Sequence, residues 1–416
     1  MANKPPIGDS SQPPSNFLVS SDRETPTAPR RVFVLRPDNL GDLVLFSGAL
    51  RHMRALWPSA HITLCVRSHG RELFAQCPYV DRLLPYESLQ WMGKLRLPRA
   101  LSWIATIGRW VQRAFCVALP TSGYDLAVLP VISPWITYHR IMALVPSRYR
   151  IGVCGSSDNA NTQEASQCKK IYSRHFDASH FSSEFPELER NRLFLQFLGA
   201  DINSPDFWPE FWTNDRDRAT AENLVRRSPG KLIFGITPGV SWPLGKRLQA
   251  SWYVETLRAI WNSDIQIVLL GAQQDHGICE EIKQAFGREL PNSEVTNLAG
   301  ATNILELIEC LRLCDLLLCA DAAPLHIATA LRKPVVGLLG GGHFGRFYPW
   351  GSPTLARVVN KQMDCYGCNW QCKFDQIRCI QEIDPANAVD ELTALIRKLR
   401  EKTSHSNESC LSYETR

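Results

Sequence analysis

Asp42 is the first side chain in this sequence placed where it could do chemistry. It lies in RVFVLRPDNLGDLVLFSGALRHM (Arg31–Met53), where four consecutive apolar residues, Val32 to Leu35, suit a strand covered on both faces. Asn39 and Gly41 permit a tight turn. A helix beginning near Gly41–Asp42 then puts the carboxylate in its first turn, at the carboxyl end of the strand. Open α/β sheets bind ligands there, so Asp42 reads as a catalytic base. It reads equally as a helix cap favoured by the macrodipole.

The second half offers cations and another carboxylate in equivalent places. The strand-like DLLLCAD ends in Asp321, and AAPLHIATAL follows as a helix whose first turn carries Ala322, Ala323 and Pro324. Small side chains there let a phosphate or diphosphate approach backbone N–H groups. His326 falls on the second turn, as a ligand contact or as a satisfied structural histidine. TPGVSWPLGKRL (Thr237–Leu248) follows another strand and holds Lys246 and Arg247, which could neutralise a diphosphate leaving group or simply be solvated. GGGHFGRFYPWG (Gly340–Gly351) adds His343 and Arg346. Its Gly340, Gly342 and Gly345 match G-x-G-x-x-G formally, but Pro349 and Pro353 forbid the helix that a dinucleotide site needs. That tells against a dehydrogenase.

Cys365, Cys368, Cys372 and Cys379 follow C-x2-C-x3-C-x6-C after the last strand-like run. They could clip a structural zinc or iron, or stay free thiols; lying beyond the other loops, they do not suggest a catalytic metal. Between Ser88 and Pro120 stand five basic residues, three tryptophans and no acid. On a helix over Arg99–Leu119, Arg99, Ser102, Thr106, Arg109 and Arg113 form one polar stripe opposite an apolar face with Trp103 and Trp110. Such a helix suits a membrane interface, or a core-packed position with a solvated edge.

The elements that must carry these residues alternate. HITLCV (His61–Val66), VDRLLPY (Val80–Tyr86), YDLAVLP (Tyr124–Pro130) and a short run at Tyr149–Val153 are strand-like. Gly70–Cys77 reads as helical, Gly155–Phe185 as polar and irregular, and Glu187–Ala200 as a helix stopped by glycine. After a linker at Pro205–Trp212, the runs KLIFGITPG, IQIVLLG, VTNLAG, DLLLCAD and PVVGLLG give five strands with helices between them. The alternation predicts an α/β protein with two doubly wound parallel sheets, over 29–205 and 213–400, whose strand ends face a cleft.

Composition agrees with this. At 416 residues the chain exceeds one ordinary core, and its 44% hydrophobic and 21% charged content is that of a globular protein. A net charge of +5 without a long Lys/Arg run suits an anionic ligand or a membrane surface, and no nucleic acid. The first 28 residues hold five of the 27 prolines and no apolar core of a signal peptide, so a disordered tail is expected there and a polar tail at 403–416. No run of 18 uncharged apolar residues predicts a transmembrane helix. Fourteen cysteines without a secretion signal point to a reducing compartment, the cytoplasm.

Together these segments resemble glycosyltransferase family 9, the heptosyltransferase family of bacterial lipopolysaccharide assembly, from about Arg31 to Leu399. The resemblance rests on RPDNLGD, on TPG with Lys246–Arg247 and Trp252–Tyr253, and on CADAAPLHIATALRKPVVGLLG. It implies the GT-B architecture: two Rossmann-like domains facing a cleft, a nucleotide sugar bound by the C-terminal one, and inversion at the anomeric carbon without a catalytic metal. By position it implies Asp42 as the base on the acceptor hydroxyl and Lys246 as the cation on the diphosphate. Asp321, Ala322 and Ala323 would line the donor site, with Thr237, Arg247, His326, His343 and Arg346 around them. The family's default donor is ADP-heptose; its acceptor is a lipopolysaccharide-type or other lipid-linked glycan at the cytoplasmic face of the inner membrane. The chain departs from the family at Ala322–Ala323, where Thr or Ser followed by Gly is usual, and at GGGHFGRF, where a short Gly-Pro-Thr loop is usual. His343 and Arg346 could supply the phosphate contacts so lost. Transfer from another nucleotide sugar to a different glycan or protein, or nucleotide binding without transfer, stays open.

Overall fold

The computed structural model describes residues 26–91, 122–155, 168–203, 206–240 and 244–411. Most of the tail expected at 1–28 and all of the basic, tryptophan-rich segment at 99–119 lie outside the described residues.

Two six-stranded sheets organise the chain, and every pairing in both is parallel. The first contains β1 (Arg31–Leu35), β2 (His61–Val66), β3 (Arg82–Pro85), β4 (Tyr124–Leu129), β5 (Ser147–Cys154) and β6 (Arg174–Asp177), in the order β3-β2-β1-β4-β5-β6. The second contains β7 (Leu232–Thr237), β8 (Ile265–Leu269), β9 (Glu294–Asn297), β10 (Leu316–Ala320), β11 (Val335–Leu339) and β12 (Ala356–Asn360), in the order β12-β11-β10-β7-β8-β9. Counted from its own first strand, each sheet runs 3-2-1-4-5-6, the doubly wound order, with its switch points at β1/β4 and β7/β10. The inner strands β8, β10 and β11 are buried at every residue, as continuous apolar runs between two helical layers should be.

Helices α1 (Leu40–Phe46), α2 (Ala49–Leu56), α3 (Ile136–Leu144) and α4 (Glu187–Leu198) accompany the first sheet. Helices α5 (Asp215–Val225), α6 (Ala250–Ile260), α7 (His276–Glu289), α8 (Ile304–Leu313), α9 (Ala323–Ala330) and α10 (Pro385–Leu411) follow the crossover. α4 ends where Gly199 takes φ 107°, and α5 and α8 start from capping boxes at Asn214 and Asn303. Between α1 and α2 the crossing segment passes so close that a Cβ on Gly48 would lie 2.0 Å from the Trp208 carbonyl oxygen. Trp208 in turn donates from Nε1 to the Ala330 carbonyl at 2.9 Å, so this segment touches both halves.

Three sequence expectations need correction. Gly70–Cys77 is no helix: two 3₁₀ turns, Ser68–Gly70 and Glu72–Phe74, bury Leu73 and Phe74 in a space too short for an α-helix. The stretch read as irregular contains β6, an edge strand whose Phe176 packs against Phe194 and Phe197 of α4. A sixth strand, β12, closes the second sheet; its half-buried pattern is that of an edge, without the apolar run that marked the others. Within the stretch read as a polar tail, the last helix continues to Leu411.

Candidate active site

The loops at the two switch points enclose one cavity of about 620 Å³. From the first sheet it receives Arg36, Asp38 and Asp42 after β1 and Ser133 after β4; from the second, Lys246 after β7, Asp321, Ala322, Ala323 and His326 after β10, and His343 and Arg346 after β11. Asn39 occupies the N-cap position of α1 without a side-chain cap, and Asp42 sits in the helix's first turn at the mouth of β1. Gly41 lies where a Cβ would come 3.3 Å from Cδ2 of His326, which brings the start of α1 against α9 of the other half.

Around Asp42 is a set of charges the sequence did not single out. Arg36 is buried; its Nε lies 2.7 Å from Asp38 and its second guanidinium nitrogen 3.5 Å from Glu187, while its Nη1 donates to the Pro130 carbonyl at 2.6 Å. Burial pushes the Asp42 carboxyl up to about 7; Asp38 and Glu187 push the same way, and Arg36 and Arg346 oppose them. Burial also raises Asp38, against the pull of Arg36. Burial alone would raise Glu187, but Arg346, Arg36 and Arg190 hold it below the usual carboxylate range. The outcome is one carboxylate poised near neutrality beside one that stays ionised, the separation acid–base chemistry uses.

On the opposite wall Lys246, nearly buried, donates from Nζ to the Asp321 carbonyl at 3.1 Å and to its carboxylate at 3.2 Å. The same ammonium lies 4.6 Å from the centre of the Trp370 ring. At the start of α9 the Ala322 N–H donates to Ala320 and the Leu325 N–H to Ala322, and Pro324 has none. The helix end therefore offers Ala323 as its backbone donor, fewer than the sequence suggested. His326 accepts from Trp350 Nε1 at Nδ1, 3.1 Å, which leaves the proton on Nε2; burial pushes it down to about 4, so the ring is neutral at pH 7.

Several expected donor contacts are placed differently. Thr237 is buried beneath the loop and does not line the cavity. Arg247 does not line it either: it turns away to Asp275, 3.1 Å, because that carboxylate sits at the head of α7. Arg346 reaches the cavity, but its guanidinium pairs with Glu187 at 3.2 Å and donates to Ser133 at 3.1 Å, both in the first half. His343 is held by Trp370, which donates to its Nδ1 at 3.1 Å, and by Asn369 at Nε2.

The cysteine-bearing loop does not lie beyond the donor loops, as the sequence suggested. It forms part of the cleft wall through Asn369, Trp370 and Gln371. The glycine run is what lets it in. A Cβ on Gly341 would lie 2.1 Å from Tyr366, and one on Gly342 would lie 2.4 Å from Trp370. These glycines accommodate two aromatic rings, and a turn follows in place of a helix. Arg36 and Asp38 stood within a motif already noted, but Glu187 and Trp370 carried no signal beyond residue type. Their roles come from packing between distant segments.

Residues 150–377 match the family model described as Glycosyltransferase family 9 (heptosyltransferase). The chain is 29% identical over 176 residues to lipooligosaccharide heptosyltransferase 2 of Campylobacter jejuni, a match covering 42% of this chain and 54% of that enzyme; it thus spans about half that relative's length. It is 22% identical over 370 residues to lipopolysaccharide heptosyltransferase 2 of Escherichia coli, 88% of this chain and 98% of that one. A solved structure of E. coli ADP-heptose lipopolysaccharide heptosyltransferase II superimposes with a TM-score of 0.61 at 19% identity, covering 89% and 99% of the two chains. At that identity it is the two-domain GT-B fold that is shared.

Proposed function

The chain belongs to glycosyltransferase family 9, and from that premise we propose that it transfers a sugar, by family default the heptose of ADP-heptose, to a hydroxyl of a lipopolysaccharide-type acceptor with inversion. One observation carries the reading: Asp42 and the Lys246–Asp321 pair face one cavity from the switch points of opposite sheets. The Asp42 carboxylate takes the proton of the acceptor hydroxyl, whose oxygen forms the new bond to the anomeric carbon. The bond to the diphosphate breaks on the opposite face, and Lys246 with the Ala323 N–H offsets the charge that develops there. His326 offers its Nε2–H to the same wall, and Asp321 orients the lysine. Among the described residues no helix is long and apolar enough to cross a membrane. The enzyme of this reading works at the cytoplasmic face of the inner membrane, where a lipid-linked acceptor is presented.

Ala322–Ala323 lacks the usual hydroxyl contact to phosphate and so leaves a variant of this reading open, a different nucleotide sugar. Thermal stabilisation by ADP, UDP, GDP and NAD at matched concentration separates the cases. Stabilisation by ADP, followed by Asp42-dependent turnover of ADP-heptose, is expected. UDP or GDP in its place would replace the donor, and NAD alone would overturn the assignment.

No catalytic step calls for a metal. We read Cys365, Cys368, Cys372 and Cys379 as ligands of a structural zinc or iron ion behind Trp370. All four line one cavity of about 10 Å³, room for a single atom-sized guest, and Gly341 donates its N–H to Cys379 Sγ at 3.3 Å. Among the described residues no three His, Cys, Asp or Glu side chains are gathered closely enough to hold an ion, so binding must draw the thiolates inward. Elemental analysis of the purified protein is expected to give about one zinc or iron per chain, lost in Cys368→Ser. Metal-free protein with unchanged ADP binding would discard this reading.

A further inference from the structure

Trp135 has no task in the transfer just described, yet among the described residues it is the one large apolar side chain left exposed, at 53%. It stands at the head of α3 and lines two cavities at once, the cleft and a neighbour of about 310 Å³. The neighbour is walled by loops at the carboxyl edge of the first sheet: Arg67 after β2, Tyr86, Glu87 and Gln90 after β3, and Trp135, Thr137 and Tyr138 after β4. Arg67 and Tyr138 are shared with the cleft as well, so the two spaces meet on the Asp42 side.

The wall is held in place. Arg67 donates from Nε to the Pro37 carbonyl at 2.6 Å, Tyr86 and Tyr138 pack edge to face at 5.9 Å, and Glu87 accepts from the Ser68 N–H and hydroxyl. An exposed indole ringed by Arg67, Glu87, Gln90 and Thr137 offers what one saccharide ring requires. The flat aromatic face takes the C–H side of the ring, and planar polar groups take its hydroxyls. A bare apolar pocket would lack the second, and a phosphate site would not include Glu87.

We propose that this cavity is an acceptor subsite, in which the sugar next to the one bearing the reacting hydroxyl stacks on Trp135. The proposal rests on the transferase reading and deepens it by assigning the acceptor as an oligosaccharide gripped at two adjacent residues.

Binding without turnover tests it. The full chain is titrated with a deacylated lipooligosaccharide core and, separately, with ADP, following ligand NMR saturation transfer. Trp135→Ala is expected to weaken core binding roughly tenfold, the scale of one lost aromatic stack. It should leave ADP affinity within about twofold, and Trp135→Phe should restore most of the loss. Gln90→Ala, at an exposed position, should weaken the core alone. Unchanged core binding in Trp135→Ala, or no core binding by the wild-type chain while ADP binds, overturns the subsite and leaves the donor assignment standing. Failure of ADP to bind tells against the donor assignment instead.

Discussion

Arg346, on the loop after β11, places its Nε 3.2 Å from Oε2 of Glu187 at the first turn of α4, joining the two halves across the cleft. The Glu187 N–H also donates to the Arg346 carbonyl at 2.7 Å, so backbone and side chain are fastened together. Both side chains are nearly buried. Removing Arg346 leaves the buried Glu187 with Arg36 as its remaining partner at 3.5 Å, so the cost stays below the roughly 3–5 kcal/mol of a buried charge left wholly unpaired. Arg346→Ala should therefore lower the denaturation midpoint clearly and enlarge the radius of gyration as the halves separate. Arg346→Lys should not restore either, since one ammonium cannot reach Glu187 and Ser133 together. Scattering and denaturant melts that match the wild type would show that the pair does not hold the cleft shut.

The raised Asp42 carboxyl fixes a pH dependence. A general base works deprotonated, so kcat/KM should fall about tenfold per pH unit below about 7, the value to which burial, Asp38 and Glu187 push it. Asp38→Asn removes a repelling charge and frees Arg36, so the acid limb should move to lower pH. A group whose folded pKa is raised favours the folded state while protonated and disfavours it once ionised. Asp42→Asn should thus raise the melting temperature most above about pH 7, by less at pH 5 and little below about pH 4, while turnover falls by a factor of about 10²–10⁴. A limb unmoved by Asp38→Asn would assign it to another group.

How far the sequence could be read depends on distance along the chain. β1 with its turn and Asp42, β10 with Asp321, and the helix stop at Gly199 were legible because each is written in contiguous residues: a buried run, turn formers, a cap. β6 and β12 were not: RHFD inside a polar stretch and ARVVN show no continuous apolar run. The partners of a charge were the least legible. Arg346 and Arg247 were both read as phosphate ligands from their place in loops, yet Glu187 lies far upstream and Asp275 belongs to another helix. Nothing local distinguishes a cation waiting for an anion from one already paired.

Lys246 and Asp321 predict opposite kinetic signatures on one wall. Lys246→Ala removes the cation from the leaving group and should lower kcat by about 10²–10³. Asp321→Asn leaves the lysine but releases its aim, so kcat should fall less, with the loss shared by the donor KM. Steady-state kinetics over both substrates decides; equal losses in kcat alone would make Asp321 a partner in charge and not in position.

Gly341 and Gly342 tie the cysteine-bearing loop to the donor wall, and this gives a test that alters no charged side chain. An alanine methyl at Gly342 would have to occupy the space of the Trp370 indole, whose ring faces Lys246 and whose Nε1–H fixes His343. Trp370 and Asn369 already hold φ of 59° and 50°, in the left-handed region, so the loop has little room to yield by rotating there. Overpacking of this kind costs roughly 1–3 kcal/mol, and the simplest relief is outward movement of the loop. Gly342→Ala should then weaken nucleotide binding by about tenfold. Arg346 shares the Gly342 loop but is anchored to Glu187 and Ser133, so the pH at which Asp42 titrates should stay put while those contacts hold. Calorimetric titration with ADP, paired with a pH–rate profile, reads both quantities. Unchanged nucleotide affinity would mean that Trp370 packs on the glycine run for stability alone.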